Sequence, residues 1–146
     1  LKNFIETEIF QHYMPASFPN ISIDREHTIF VGHSLGGLFG TYLFVKNSPV
    51  FGKYMFISSA LTYDAEKIFG IELDNRSNSM NQHTKLFFGT GSQEEAGFHS
   101  SLQHLQSVLS SFYPNTTYKS EVYKNTEHVG VRVKALENGL PYLITP

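Results

Sequence analysis

The stretch from Thr28 to Gly37, reading Thr-Ile-Phe-Val-Gly-His-Ser-Leu-Gly-Gly, restricts the possible folds of this chain more than any other. Thr28 to Val31 is a short apolar run with three β-branched residues, bounded by glycine, and reads as a buried strand. Leu38 to Val45 is apolar on nearly every side and reads as a helix packed within a layer, ending before Pro49. Between them Gly32-His33-Ser34-Leu35-Gly36 matches G-x-S-x-G, which sets a serine on a sharp strand-to-helix turn with its Oγ clear of the sheet. The flanking glycines are expected to prevent collisions with the neighbouring strand and helix. The helix N-terminus is aimed at the same point, so the Leu35 backbone N–H is placed to stabilise an oxyanion. An ordinary glycine-rich turn is the competing reading. Adjacent side chains diverge at such a turn, so His33 is expected to be structural, its ring pointing away from the serine.

The rest of the chain alternates strands with helices. Leu1 to Tyr13 has helical spacing that Pro15 should end, and Ala16 to Asp24 is a turn-rich loop. Tyr54–Ile57 and Lys85–Phe88 are further apolar strands, and Tyr118–Tyr123 alternates as a strand at a sheet edge. Leu61–Phe69, Phe98–Phe112 and Val131–Leu143 carry helical periodicity, whereas polar Asn75–Gln82 reads as a surface loop. Four strands alternating with helices imply a parallel sheet with crossover helices, whose functional residues lie past the strand carboxyl ends.

Those positions select the partners of Ser34. In the chain order serine, acid, histidine, the base comes after the serine. Of the four later histidines, His83 precedes a strand and His99 and His104 lie along a helix, which leaves His128 in the loop between the fourth strand and the last helix. A carboxylate past the third strand would orient that histidine. Glu94 is the choice, with Glu95 beside it and Asp64 past the second strand as rivals, and a solvated acidic pair at a helix start as the ordinary reading.

Composition removes other classes. The 146 residues suit one domain, and 40% hydrophobic against 16% charged residues suit a globular one. A formal charge of −2 with scattered basic residues offers no nucleic-acid footprint. With no cysteine, thiolate metal sites, iron–sulfur clusters and cysteine nucleophiles are excluded. No apolar run reaches the ~18 residues of a membrane span, so no membrane insertion is expected and a cytoplasmic or periplasmic location is.

In their combined order, these residues resemble the esterase family of the α/β-hydrolase fold, in particular its enterochelin (siderophore) esterase-like branch. The likeness runs from the leading helix and loop, Leu1–His27, through Gly32–Gly40, Phe51–Tyr54 with Ile57–Leu61, and Gly91–Glu94, to His128–Val131 with Ala135–Leu140. Ser58–Tyr63 departs from the family pattern, which often has proline and an aromatic pair there. The resemblance implies an ester hydrolase with nucleophile Ser34, base His128 and acid position Glu94, requiring no cofactor or metal and acting on a small-molecule ester such as a siderophore lactone. It also implies that residues 1–146 form a single partial domain, the carboxyl-terminal half of the fold. The earlier strands and the loop supplying a second oxyanion N–H would belong to a missing N-terminal half, so this chain alone is expected to be weak or inactive and to self-associate through its exposed strand edge. A non-catalytic binding or interaction domain of the same architecture is the alternative.

Overall fold

The computed structural model describes residues 1–145. Four strands, β1 (Ile29–His33), β2 (Lys53–Ile57), β3 (Thr84–Gly91) and β4 (Thr116–Tyr123), form one parallel sheet in the order β1-β2-β3-β4. A short α1 (Met14–Ser17) precedes the sheet, α2 (Leu35–Val45), α3 (Tyr63–Ser79) and α4 (Ala96–Phe112) are its crossovers, and α5 (Val131–Ile144) follows it. This is the α/β arrangement expected from the sequence.

Strand alternation divides the core in two. Phe30, Tyr54, Leu86 and Tyr118 lie in register on one face, where they pack with Phe44, Ile68, Leu105 and Leu109 of α2, α3 and α4. Met55, Ile57 and Phe87 point the other way, against Val131, Ala135 and Leu143 of α5. Both faces of the central strands are therefore covered, which is why β2 and β3 read as continuous apolar runs. Each such side chain contributes about 1.5–3 kcal/mol by leaving water. Val31, in register with Met55 but on the edge strand, is 41% exposed.

Three expectations are corrected. The leading helix, π-helical over Phe4–Tyr13, continues as α1 to Ser17, so Pro15 does not end it. Asn75–Ser79 is the last part of α3 rather than loop. Arg76 clasps the buried Glu72 at 2.8 and 2.7 Å, Tyr113 donates to the same carboxylate, and Ser79 bonds to Asn75 O and Tyr113, so tertiary contacts override the polar composition. At its other end, just after Tyr63, α3 holds Asp64, Ala65 and Glu66 at φ of 51°, 51° and 59°, a left-handed turn that periodicity does not reveal. Among the described residues no helix is long and apolar enough to cross a membrane.

Candidate active site

Ser34 occupies the turn between β1 and α2 at φ 57°, ψ −118°, a conformation that costs a non-glycine residue about 1–3 kcal/mol. Neighbouring strands hold it there. Its N–H donates to Ile57 O at 2.9 Å, and its carbonyl accepts from Leu38 N–H at 3.0 Å and Ala60 N–H at 3.1 Å. The hydroxyl makes no cap hydrogen bond to α2. Leu35 opens that helix, so its N–H belongs to the first turn, which has no intrahelical acceptor.

The two glycines of the motif behave differently. A Cβ on Gly32 would lie 2.3 Å from Gly36 O, so the turn closes only with glycine there. A Cβ on Gly36 would meet nothing within 4 Å, contrary to the expected collision. The crowded positions are Gly37, against Ser59, and Gly40, against Phe30.

Past β3, Glu94 turns back beneath its own loop. Its side chain has no exposed surface, and Oε1 accepts from Gly91 N–H at 2.8 Å and from Ser58 Oγ at 2.5 Å. Its second oxygen, Oε2, lies 3.4 Å from His128 Nδ1. The loops carrying the two are bonded together: Gln93 N–H donates to Thr126 O, Ser92 N–H to Tyr123 O, and Asn125 N–H to Ser92 Oγ. Gly91 permits this approach, since a Cβ there would sit 2.2 Å from Thr126 O. A carboxylate facing Nδ1 favours the tautomer with its proton on that nitrogen, leaving Nε2 free to accept. No hydrogen bond joins Ser34 to His128 among the described residues; such bonds are often long in the absence of substrate.

The rival acids lie elsewhere. Glu95 is exposed at the N-cap of α4, and Asp64 pairs with Lys67 at 3.2 Å, its side chain 58% exposed. Two contacts at the site escape sequence reasoning, that of His33, which was expected only to be structural, and that of Ser58. His33 Nε2 is 2.8 Å from the backbone oxygen of His128, and the two rings lie 4.6 Å apart, with Phe98 on the His128 ring at 4.8 Å. Burial holds the His33 imidazole below the usual histidine pKa, and its bond to the His128 carbonyl offsets this only in part. For both residues the only sequence signal is position, His33 as the last residue of β1 and Ser58 as the first residue past β2.

Neither a family model nor a curated protein sequence matches this chain. Solved structures do. The BES protein from Bacillus cereus superposes with a TM-score of 0.79 at 21% identity, over 97% of this chain and 54% of that one. The siderophore hydrolase EstA from Aspergillus nidulans gives 0.78 at 20% identity, over 98% and 55%. An IroE-like serine hydrolase from Shewanella oneidensis gives 0.79 at 17% identity, over 97% and 46%. The chain has the α/β-hydrolase fold of these proteins. At such identities the likeness is one of fold, and this chain spans about half the length of the α/β-hydrolase structures it matches.

Two recesses flank the strand ends of this α/β-hydrolase sheet. One, of about 390 Å³, is bordered by Glu94, Phe98, Glu127 and His128. The other, about 310 Å³ and mostly apolar, lies between α2 and α3 against Leu35, Leu38, Tyr42, Tyr63 and Ile71. Among the described residues no group of three or more histidines and carboxylates could hold a metal ion.

Proposed function

We propose that this chain is the carboxyl-terminal half of a serine-dependent ester hydrolase that works through an acyl-enzyme on Ser34. The observation that carries the reading is the fully shielded Glu94 carboxylate facing Nδ1 of His128, on loops at the same end of the parallel sheet as the strained turn of Ser34. The fold shared with serine hydrolases and siderophore esterases supports it.

In this mechanism His128 Nε2 takes the proton from Ser34 Oγ as the oxygen attacks the ester carbonyl. The carbonyl π pair moves to oxygen, and the Leu35 N–H stabilises the resulting oxyanion. Collapse of the tetrahedral adduct expels the alkoxide, which leaves as the alcohol with the proton held by His128. Water, giving its proton to the same nitrogen, then attacks the acyl-serine; the acyl–Oγ bond breaks, His128 returns the proton to Ser34 Oγ, and the acid is released. Glu94 keeps Nδ1 protonated and stabilises the imidazolium throughout. The substrate proposed is an oxygen ester, with a siderophore-type lactone first among them. The second oxyanion donor lies outside these residues, so the chain alone turns over roughly 100- to 1,000-fold more slowly than the whole enzyme.

The test is a fluorophosphonate probe read by intact mass, on the full-length polypeptide and its Ser34→Ala variant. An adduct lost in Ser34→Ala supports the proposal. An inert full-length protein refutes it and leaves a non-catalytic domain; an adduct that survives the substitution refutes it by placing the reactive nucleophile elsewhere.

A further inference from the structure

We infer that Ser58 is a positioning residue for Glu94, acting on the candidate base through that carboxylate. The inference rests on the hydrolase reading of Ser34 and His128 and adds to it the group that orients the acid.

A carboxylate with no exposed surface must find its donors inside the protein, and which oxygen they occupy decides what the other can do. Oε1 of Glu94 holds two. Gly91 N–H comes from the end of β3, and Ser58 Oγ, at 2.5 Å, from just past the end of β2. These donors reach the oxygen from different strands and so prevent the carboxylate from turning about its last torsion, which leaves Oε2 facing His128 Nδ1. Gly91 N–H alone would fix one direction and leave the plane free to rotate.

Ser58 is itself rigidly placed. It is 1% exposed, and its N–H donates to Gly89 O at 2.8 Å. Its φ of 45° is a left-handed conformation that any residue with a Cβ adopts at a cost. Glycine would occupy that backbone without strain, so the serine does not ease the turn. What it supplies is a hydroxyl aimed at Glu94. The same backbone makes Ser58→Gly a usable probe, since it removes the hydroxyl while relaxing the main chain.

The experiment compares full-length wild type, Ser58→Gly, Ser58→Ala, Glu94→Gln and Ser58→Gly/Glu94→Gln. Steady-state kinetics on p-nitrophenyl esters should show kcat lowered about tenfold in both Ser58 variants with KM within about twofold, as for loss of a hydrogen bond to a charged group. In the Glu94→Gln background Ser58→Gly should cause no further loss. Nitrogen-15 NMR of the His128 ring should read the Nδ1–H tautomer in wild type and a shift toward Nε2–H in Ser58→Gly, as in Glu94→Gln. If Ser34→Ala is inactive but Ser58→Gly matches wild type in kcat and tautomer, this inference fails and the hydrolase reading stands. If no Ser34-dependent turnover exists, the hydrolase reading fails and the tautomer alone decides. A His128 tautomer indifferent to Ser58, or already Nε2–H in wild type, overturns the inference.

Discussion

His33 Nε2 donates to the backbone oxygen of His128 across 2.8 Å and 95 residues of sequence, tying the strand that leads into Ser34 to the loop that carries the candidate base. Because the carbonyl only accepts, the ring proton of His33 is on Nε2. No direct bond joins Ser34 to His128 among the described residues, and this contact is expected to align one with the other. His33→Leu leaves the carbonyl without its donor; it should cost about 1 kcal/mol of stability and lower kcat more than it raises KM. Urea unfolding and steady-state kinetics on the full-length protein measure both, and a variant with wild-type kcat would remove the aligning role.

The same residue gives the fold a pH dependence. Burial lowers the folded-state pKa of His33 below its unfolded value, so the unfolded chain binds more protons in the interval between them. This contribution is whole above about pH 6.5, the ordinary histidine value, and is lost progressively as pH falls toward the depressed one. The urea midpoint of the wild type should therefore drop further between pH 7.5 and 5.5 than that of His33→Gln. Equal drops would contradict the assignment.

Glu94→Gln keeps the shape of the acid and removes its charge. His128 then faces an amide that can present its NH2 to Nδ1 and select the wrong tautomer, so kcat should fall roughly 100- to 10,000-fold. The Ser34 adduct with a fluorophosphonate should form correspondingly more slowly. A rate within twofold of wild type would place the acid elsewhere.

The two motif glycines should separate cleanly. In Gly32→Ala the new methyl meets the Gly36 carbonyl oxygen 2.3 Å away, and the turn must shift at a cost of about 1–3 kcal/mol. Gly36→Ala meets nothing and lies in the first turn of α2, so it should stabilise by about 0.5–1 kcal/mol. Thermal melts of the pair suffice, and destabilisation by both would show that Gly36 is crowded after all.

Thr90 is 3% exposed, and its Oγ1 has no hydrogen-bond partner among the described residues. Replacing an unpartnered buried hydroxyl by a methyl removes a desolvation cost, so Thr90→Val should match or exceed wild-type stability by up to about 1 kcal/mol. A loss of 1 kcal/mol or more in chemical denaturation would mean that the hydroxyl is bonded.

Much of the fold was legible because β2 and β3, covered on both faces, admit only apolar residues, and a parallel sheet needs helices between its strands. Ser34, Glu94 and His128 could be selected for the same reason, since each follows a strand end. The last segment of α3 was not legible: Asn75, Ser77 and Asn78 are poor helix formers, and what holds the helix is Glu72 with Arg76 and Tyr113 of a different element.

The sequence by itself determined the order of strands and helices, the apolar core and the position of a serine at a glycine-flanked turn, because these depend on side-chain period and backbone sterics over a few residues. Only the tertiary structure decided that Gly36 is uncrowded, that Ser58 and Gly91 share one oxygen of Glu94, and that His33 reaches the His128 carbonyl. Apart from Gly91, whose amide lies three residues from Glu94, these depend on which loops meet above the sheet, and residues 36 and 95 positions apart have no local signal to set their distance.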